Sequence, residues 1–350
     1  MQPVARALHS SGLTPTLVFT GQHSGLEPSA FGLQAFPRIN LGCPGHRDPH
    51  VHVRAVTFAL LGQFREAPDL IVVQGDTSSA LGGALAAFTA CVPVAHVEAG
   101  LRTHDPLSPW PEEEYRTAID ADADLLFAPT ELSAANLRSE QVRGEIHVTG
   151  NTGIDAALWA IRQLPPVSKP VGQPTIVVTC HRRESWEEGL ESIASALTEI
   201  ARETTARVEL ILHPNPYVAS KLRRALSSAT EISLVDPCPH FDLLQRMRAA
   251  DIVLSDSGGI QEEAPTIGVP LLVLRDKTER PEAISAGTAL LVGTDRHRIV
   301  AAVRRLLADP GARACMGRQA FPFGDGRAAA RISAVVSAWM EERSLAWRHA

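Results

Sequence analysis

The 350 residues are 45% hydrophobic and 21% charged, a composition that fits an ordinary globular protein of about two domains. The formal net charge is −6, and the 33 lysines and arginines are scattered instead of forming a stripe that tracks phosphates, which excludes a nucleic-acid partner. No run approaches the roughly 20 apolar residues that cross a membrane, the opening MQPVARALHSSGL lacks a signal-peptide apolar region, and five separated cysteines show no CxxC spacing. The expectation is a cytoplasmic protein with free thiols and no membrane partner.

In chain order, strands are predicted at Leu17 to Thr20, Leu70 to Gln74, Val92 to Glu98, Leu125 to Ala128 and Ile146 to Gly150, with helix-period segments between them. That alternation predicts a parallel sheet wrapped by helices. After Gln163 the run QLPPVSKPVGQP has four prolines and no hydrophobic period, which suits a linker. A second series follows, with strands at Thr175 to Thr179, Val208 to Leu212, Ile232 to Val235, Asp251 to Ser255, Pro270 to Leu274 and Ala289 to Val292. Between them Trp186, Leu190, Ile193, Leu197 and Ile200 recur at helical spacing as one buried stripe. The fold class expected is α/β, with two Rossmann-like domains spanning residues 1–164 and 165–325. A helix from Gly326 to Met340, within a tail of residues 326–350, is expected to pack back on the first domain.

In open α/β sheets ligands sit beyond the carboxyl ends of the strands, and the unusual polar residues collect there. Asp76 follows LIVVQG, and either caps the helix beginning near Thr77 or works on a ligand. Glu98 ends VPVAHVE and is followed by Ala99-Gly100-Leu101-Arg102; it is either paired to Arg102 or nearby charge, or tuned for proton transfer. In PWPEEEYR, the prolines and acids make a good helix start, while Trp110 and two prolines could also fix Glu112 as a positioned acid or base. His181 follows TIVVTC, heading either a basic surface loop or a group that neutralises a diphosphate.

The stretch AADIVLSDSGGIQEEAP, Ala249 to Pro265, is a buried strand opening through small residues onto acids. The turn from Asp256 through Ser257, Gly258 and Gly259 admits backbone close to a ligand, and the helix after it aims N–H groups at an anion. Glu262 and Glu263 are expected in the first helical turn, where they suit the dipole or accept two ribose hydroxyls. His213, after VELIL, places a second histidine at a strand end. His46, His50 and His52 have no fourth ligand beside them, so no metal is expected.

Taken together, these strings resemble the non-hydrolysing UDP-N-acetylglucosamine 2-epimerases. The runs that carry the resemblance are QGDT at Gln74, HVEAGLRT at His96, SPWPEE at Ser108, GNTGIDA at Gly150, CHRRES at Cys180, SDSGGIQEEAP at Ser255 and RDKTERPEA at Arg275. The resemblance implies a GT-B type fold with an interdomain cleft, a homodimer, and interconversion of UDP-GlcNAc and UDP-ManNAc with no redox cofactor, in polysaccharide biosynthesis. It implies Asp76, Glu98 and Glu112 as the acid/base set, with His181 assisting the diphosphate. Ser257, Gly258, Gly259, Glu263, Arg280 and His213 would bind substrate. Gln22, His23 and Arg54 match a site where bacterial members bind a second UDP-GlcNAc as activator.

Such proteins open with a strand and a GTRPE-like loop whose arginine contacts the diphosphate, and the present sequence is expected to begin inside the helix that follows. The true start is expected upstream, the alternative being an impaired UDP-sugar-binding relative. A hydrolysing epimerase releasing ManNAc and UDP is the close rival, and a glycosyltransferase shares the fold type. A dinucleotide dehydrogenase is disfavoured because no GxGxxG follows any strand.

Overall fold

The structure, a computed structural model, describes residues 1–22, 29, 32–107, 109–167, 172–181 and 188–348, with backbone alone at 188 and 346–348. The chain divides into two compact units, one formed by Met1–Ala156 with Gly324–Ala350, the other by Ala157–Phe323.

The first unit contains α1 (Gln2–Ser10), β1 (Leu17–Phe19), β2 (Arg38–Asn40), α2 (Pro49–Leu61), β3 (Ile71–Gln74), α3 (Ser78–Thr89) and β4 (Val94–Val97). It continues with α4 (Glu112–Asp122), β5 (Leu125–Ala128), α5 (Glu131–Ser139), β6 (Glu145–Val148) and the start of α6 (Thr152–Gln163). Strands β3, β4, β5 and β6 pair in that order in one parallel sheet, and β1 pairs with β2 separately. Every residue of β4 and β5 is buried, which is why VAHV and LLFA read as unbroken runs. One face packs Leu81 and Ala84 of α3, Tyr115 and Ile119 of α4 and Leu137 of α5 against Val94 and Leu126. The other face packs Val4 and Leu8 of α1 against Ala95, Val97, Leu125 and Phe127, together with Ala329, Ile332 and Val336 from the end of the chain. Strand β2 was not foreseen, since RIN is too short to show a period.

The second unit contains β7 (Thr175–Thr179), α7 (Glu188–Glu203), β8 (Arg207–Ile211), α8 (Pro216–Ala225), β9 (Ile232–Val235), α9 (His240–Ala249) and β10 (Ile252–Ser255). After these come α10 (Gly258–Ile267), β11 (Leu271–Val273), α11 (Pro281–Ser285), β12 (Ala289–Leu291), α12 (Arg296–Ala308) and α13 (Pro310–Met316); α14 (Ala328–Arg348) belongs to the first unit. Its six parallel strands lie in the order β12-β11-β10-β7-β8-β9. Reading outward, the chain winds one way from β7 and the other way from β10, so the switch point of this doubly wound sheet falls between them. Leu190, Ile193, Leu197 and Ile200 of α7 are buried in its core as the spacing predicts; Trp186 lies outside the described residues. So do residues 168–171 of the proline-rich stretch.

Candidate active site

The unusual polar residues fall into two groups, one in each unit. In the first unit, Thr77 and not Asp76 caps α3, its hydroxyl accepting from Ala80 N at 3.1 Å. Asp76 instead forms an ion pair with Arg116 of α4 through Oδ2 and Nη2. The Arg116 side chain is only 2% exposed, and its Nη1 also meets Glu113 Oε2 at 3.2 Å. An arginine serving two carboxylates at once is held in one geometry, and so are they.

Glu98 leaves β4 with φ 72°, a left-handed conformation that few non-glycine residues adopt. Gln74 Nε2 donates to its Oε2 at 3.4 Å. The alternative in which Arg102 pairs with Glu98 is corrected: Arg102 binds Asp120 Oδ2 at 2.8 Å and Glu140 Oε2 at 2.6 Å. The turn at Gly100 (φ 81°) directs the chain that way, and a Cβ there would lie 2.2 Å from the Ser133 carbonyl oxygen. Glu112 opens α4, following a cis Trp110–Pro111 bond, with Glu112, Glu113 and Glu114 all in the first turn. Its neighbour Glu113 accepts from Thr103 N at 3.0 Å and His104 N at 2.9 Å, tying the loop after Glu98 to the start of the Glu112 helix.

In the second unit, His181 and Ser257 follow β7 and β10, the two strands flanking the switch point. Asp256 is fully buried and accepts from His181 N at 2.7 Å, fixing the turn. The rings of His181 and His213 stand 5.5 Å apart, edge to face. Burial, and then the neighbouring His181, hold His213 below its ordinary pKa, and its Nδ1 accepts from Asn215 N at 2.9 Å.

Ser257 is the N-cap of α10 without a side-chain cap bond, so Gly258 and Gly259 are its first residues. Glu262 and Glu263 therefore lie beyond the first turn, a correction to the expected placement; the helix begins at the glycines and not after them. Glu262 accepts from Arg280 Nε at 2.5 Å, and Arg280 Nη1 also binds Glu279. The guanidinium lies against Gly258: a Cβ there would come 2.6 Å from Nη1. Glu263 Oε1 meets His240 Nε2 at 2.8 Å, and that hydrogen bond raises the His240 pKa. A helix N-terminus beside a fixed guanidinium suits a phosphate, and two partly buried carboxylates at strand ends suit proton transfer.

Of the remaining expected residues, Gln22 accepts from Ser79 Oγ at 2.6 Å and Arg54 is exposed on α2, while His23 lies outside the described residues. His52 is buried, bonded to Ser78 Oγ at 2.7 Å and to the Cys43 carbonyl at 3.1 Å, and His50 packs edge-on to Trp110. Sequence reasoning missed Arg116, Glu113, His96, Asp120, Glu279 and His240. The Glu113–Arg116 and Arg275–Glu279 spacings were the local signals among them; His96, Asp120 and His240 meet partners distant in sequence, which only the folded chain brings together.

The sequence matches the family described as UDP-N-acetylglucosamine 2-epimerase over residues 6–337. It is 46% identical over 288 residues to the UDP-N-acetylglucosamine 2-epimerase of Escherichia coli (strain K12), covering 78% of this chain and 76% of that protein. The crystal structure of the Neisseria meningitidis UDP-GlcNAc 2-epimerase bound to UDP-GlcNAc superposes with a TM-score of 0.90 at 34% identity, over 97% of this chain and 96% of that one. The Methanocaldococcus jannaschii enzyme in complex with UDP-GlcNAc and UDP gives 0.84 at 30% identity, over 96% and 95%. The parallel-sheet α/β fold in two units is thus the GT-B type shared with these epimerases, and the chain belongs to the UDP-N-acetylglucosamine 2-epimerase family.

Proposed function

We propose that the protein interconverts UDP-GlcNAc and UDP-ManNAc without hydrolysing either. The observation that carries the reading is the placement of two carboxylates at adjacent strand ends, Asp76 after β3 and Glu98 after β4, in a chain whose relatives are named UDP-N-acetylglucosamine 2-epimerases.

The C2 proton of the sugar is not acidic, so its removal is coupled to loss of UDP. One carboxylate takes the proton, the electrons form the C1–C2 double bond, and the C1–O bond breaks with its pair going to UDP. The product, 2-acetamidoglucal, stays bound. UDP oxygen then re-forms the bond to C1 while a carboxylic acid on the opposite face delivers a proton to C2. Atoms and electrons balance without a cofactor. Asp76, Glu98 and Glu112 form the acid/base set. His181, His213, Arg280 and the α10 N-terminus at Ser257, Gly258 and Gly259 stabilise the charge that grows on the departing diphosphate. Glu263 accepts ribose hydroxyls, and Gln22, His23 and Arg54 hold an activating UDP-GlcNAc. The reading also carries a cytoplasmic homodimer, with residues 1–164 supplying the acid/base groups and 165–325 the nucleotide site.

Incubation with UDP-GlcNAc in deuterium oxide tests it. Deuterium at C2 with UDP-ManNAc accumulating supports the proposal; free ManNAc with UDP identifies the hydrolysing reaction; UDP binding without exchange leaves only a sugar-nucleotide binding protein.

A further inference from the structure

His96 is fully buried within the sheet, on β4, and both ring nitrogens face acceptors. Nε2 lies 2.9 Å from the Gly75 carbonyl oxygen, and Nδ1 lies 2.6 Å from Asp120 Oδ1. A carbonyl can only accept, so Nε2 carries a proton. The second oxygen of Asp120 accepts from Gly100 N at 3.1 Å and pairs with the buried Arg102 guanidinium at 2.8 Å, whose fixed positive charge favours the ionised carboxylate. With Asp120 ionised, Nδ1 also carries its proton. The opposite shifts of the two groups agree: burial works against both charges, yet His96 and Arg102 hold Asp120 below its ordinary pKa and Asp120 holds His96 above its own.

A buried ion pair is a poor way to stabilise a sheet, since well-packed apolar residues do as well or better. Its position suggests another use. Gly75 immediately precedes Asp76, turns with φ 68°, and donates its N–H to the Val97 carbonyl at 3.0 Å. With His96 on its carbonyl, this residue is gripped from both sides by β4, the strand that ends in Glu98. His96 and Glu98 are two residues apart on that strand, and Glu98 also contributes to the charge around the imidazole.

We propose that His96 is a positioning residue, a buried imidazolium that with Asp120 clamps the Gly75 carbonyl and so sets Asp76 against Glu98. The inference rests on the epimerase reading for its catalytic meaning, but its charge state can be tested without it. The charged groups around the ring are Asp120 on α4, Glu98 on its own strand, and Arg102 with Glu140 behind Asp120.

Nitrogen-15 NMR of the full-length protein labelled at histidine should show both His96 ring nitrogens still protonated at neutral pH, where an ordinary histidine has lost one proton. A neutral ring at neutral pH overturns the proposal, whether or not the wild type epimerises. His96→Leu should lower kcat about 100-fold, the scale of a small misplacement of a reacting group, with KM for UDP-GlcNAc nearly unchanged. The neutral replica His96→Gln with Asp120→Asn keeps a donor to Gly75 and should recover about tenfold of that loss. If the leucine variant retains wild-type kcat, or the folded double variant is no better than leucine, His96 is only part of the core. Absence of turnover in the wild type would sink the epimerase reading instead, leaving the NMR result to judge the imidazolium.

Discussion

Arg116 and Asp76 meet through Nη2 and Oδ2 at the end of β3, and the guanidinium that reaches Asp76 also holds Glu113. The carboxylate expected to move a proton is therefore fixed by a buried cation on the helix that begins with Glu112. Arg116→Met strands two carboxylates without their partner; a loss of about 2–4 kcal/mol in stability is expected, together with a large fall in kcat. Arg116→Lys, which cannot fork between two acids, should restore much of the stability and little of the rate. Denaturant unfolding and steady-state kinetics on both variants separate the two effects.

Asp76→Asn, Glu98→Gln and Glu112→Gln keep shape and remove acid/base capacity. Each should cut turnover by about 10²–10⁴-fold while calorimetry finds UDP affinity almost unchanged. Near-normal rates in all three would remove these residues from the mechanism.

The two glycines that open α10 should respond differently to the same methyl group. At Gly258 a Cβ would sit 2.6 Å from Nη1 of Arg280, whose guanidinium is held by Glu262 at Nε and Glu279 at Nη1. At Gly259 the nearest atom, Ser257 Oγ, is 4.0 Å away. Gly258→Ala should cost about 1–3 kcal/mol of stability and weaken UDP binding about tenfold or more, whereas Gly259→Ala should leave the fold intact. Thermal melts with and without UDP make the comparison.

His213 supplies a pH dependence with a definite sign. Its folded pKa lies below the unfolded one, so between the two the unfolded chain binds more protons. Stability should therefore rise with pH through that window and be lost as pH falls below about 6.5, the ordinary histidine value. His213→Asn retains an acceptor for Asn215 N and should flatten this acid slope, which unfolding curves at several pH values would reveal.

Much of this architecture was legible in the sequence because both sheets are parallel. Buried strands such as LLFA and TIVVT had to be apolar throughout, and LLFA, TIVVT and ISLV form strands at the predicted residues. The strand-end residues Asp76, Glu98, His181 and Ser257 stood out because polar groups close apolar runs there. Their partners did not stand out. Arg116 is 40 residues from Asp76 and Asp120 is 24 from His96, and nothing in a linear string distinguishes a buried arginine from a solvated one. The α10 start was misjudged because Glu262 and Glu263 look like first-turn acids, whereas two glycines, poor helix formers elsewhere, are the residues that open this helix.

Asp155, near the start of α6, accepts from the first N–H groups of α14, Ala328 N at 3.1 Å and Ala329 N at 2.9 Å. The second unit is one continuous stretch, but the first is assembled from both ends of the chain. During synthesis the first unit to leave the ribosome is thus the last that can be completed. Until α14 emerges, Ala95, Val97, Leu125 and Phe127 lack the cover that Ile332 and Val336 supply, while Ala157–Phe323 already has all its strands. A message cut short before α14 would yield a finished six-stranded unit attached to a first unit with an open apolar face, a natural target for chaperones and proteases.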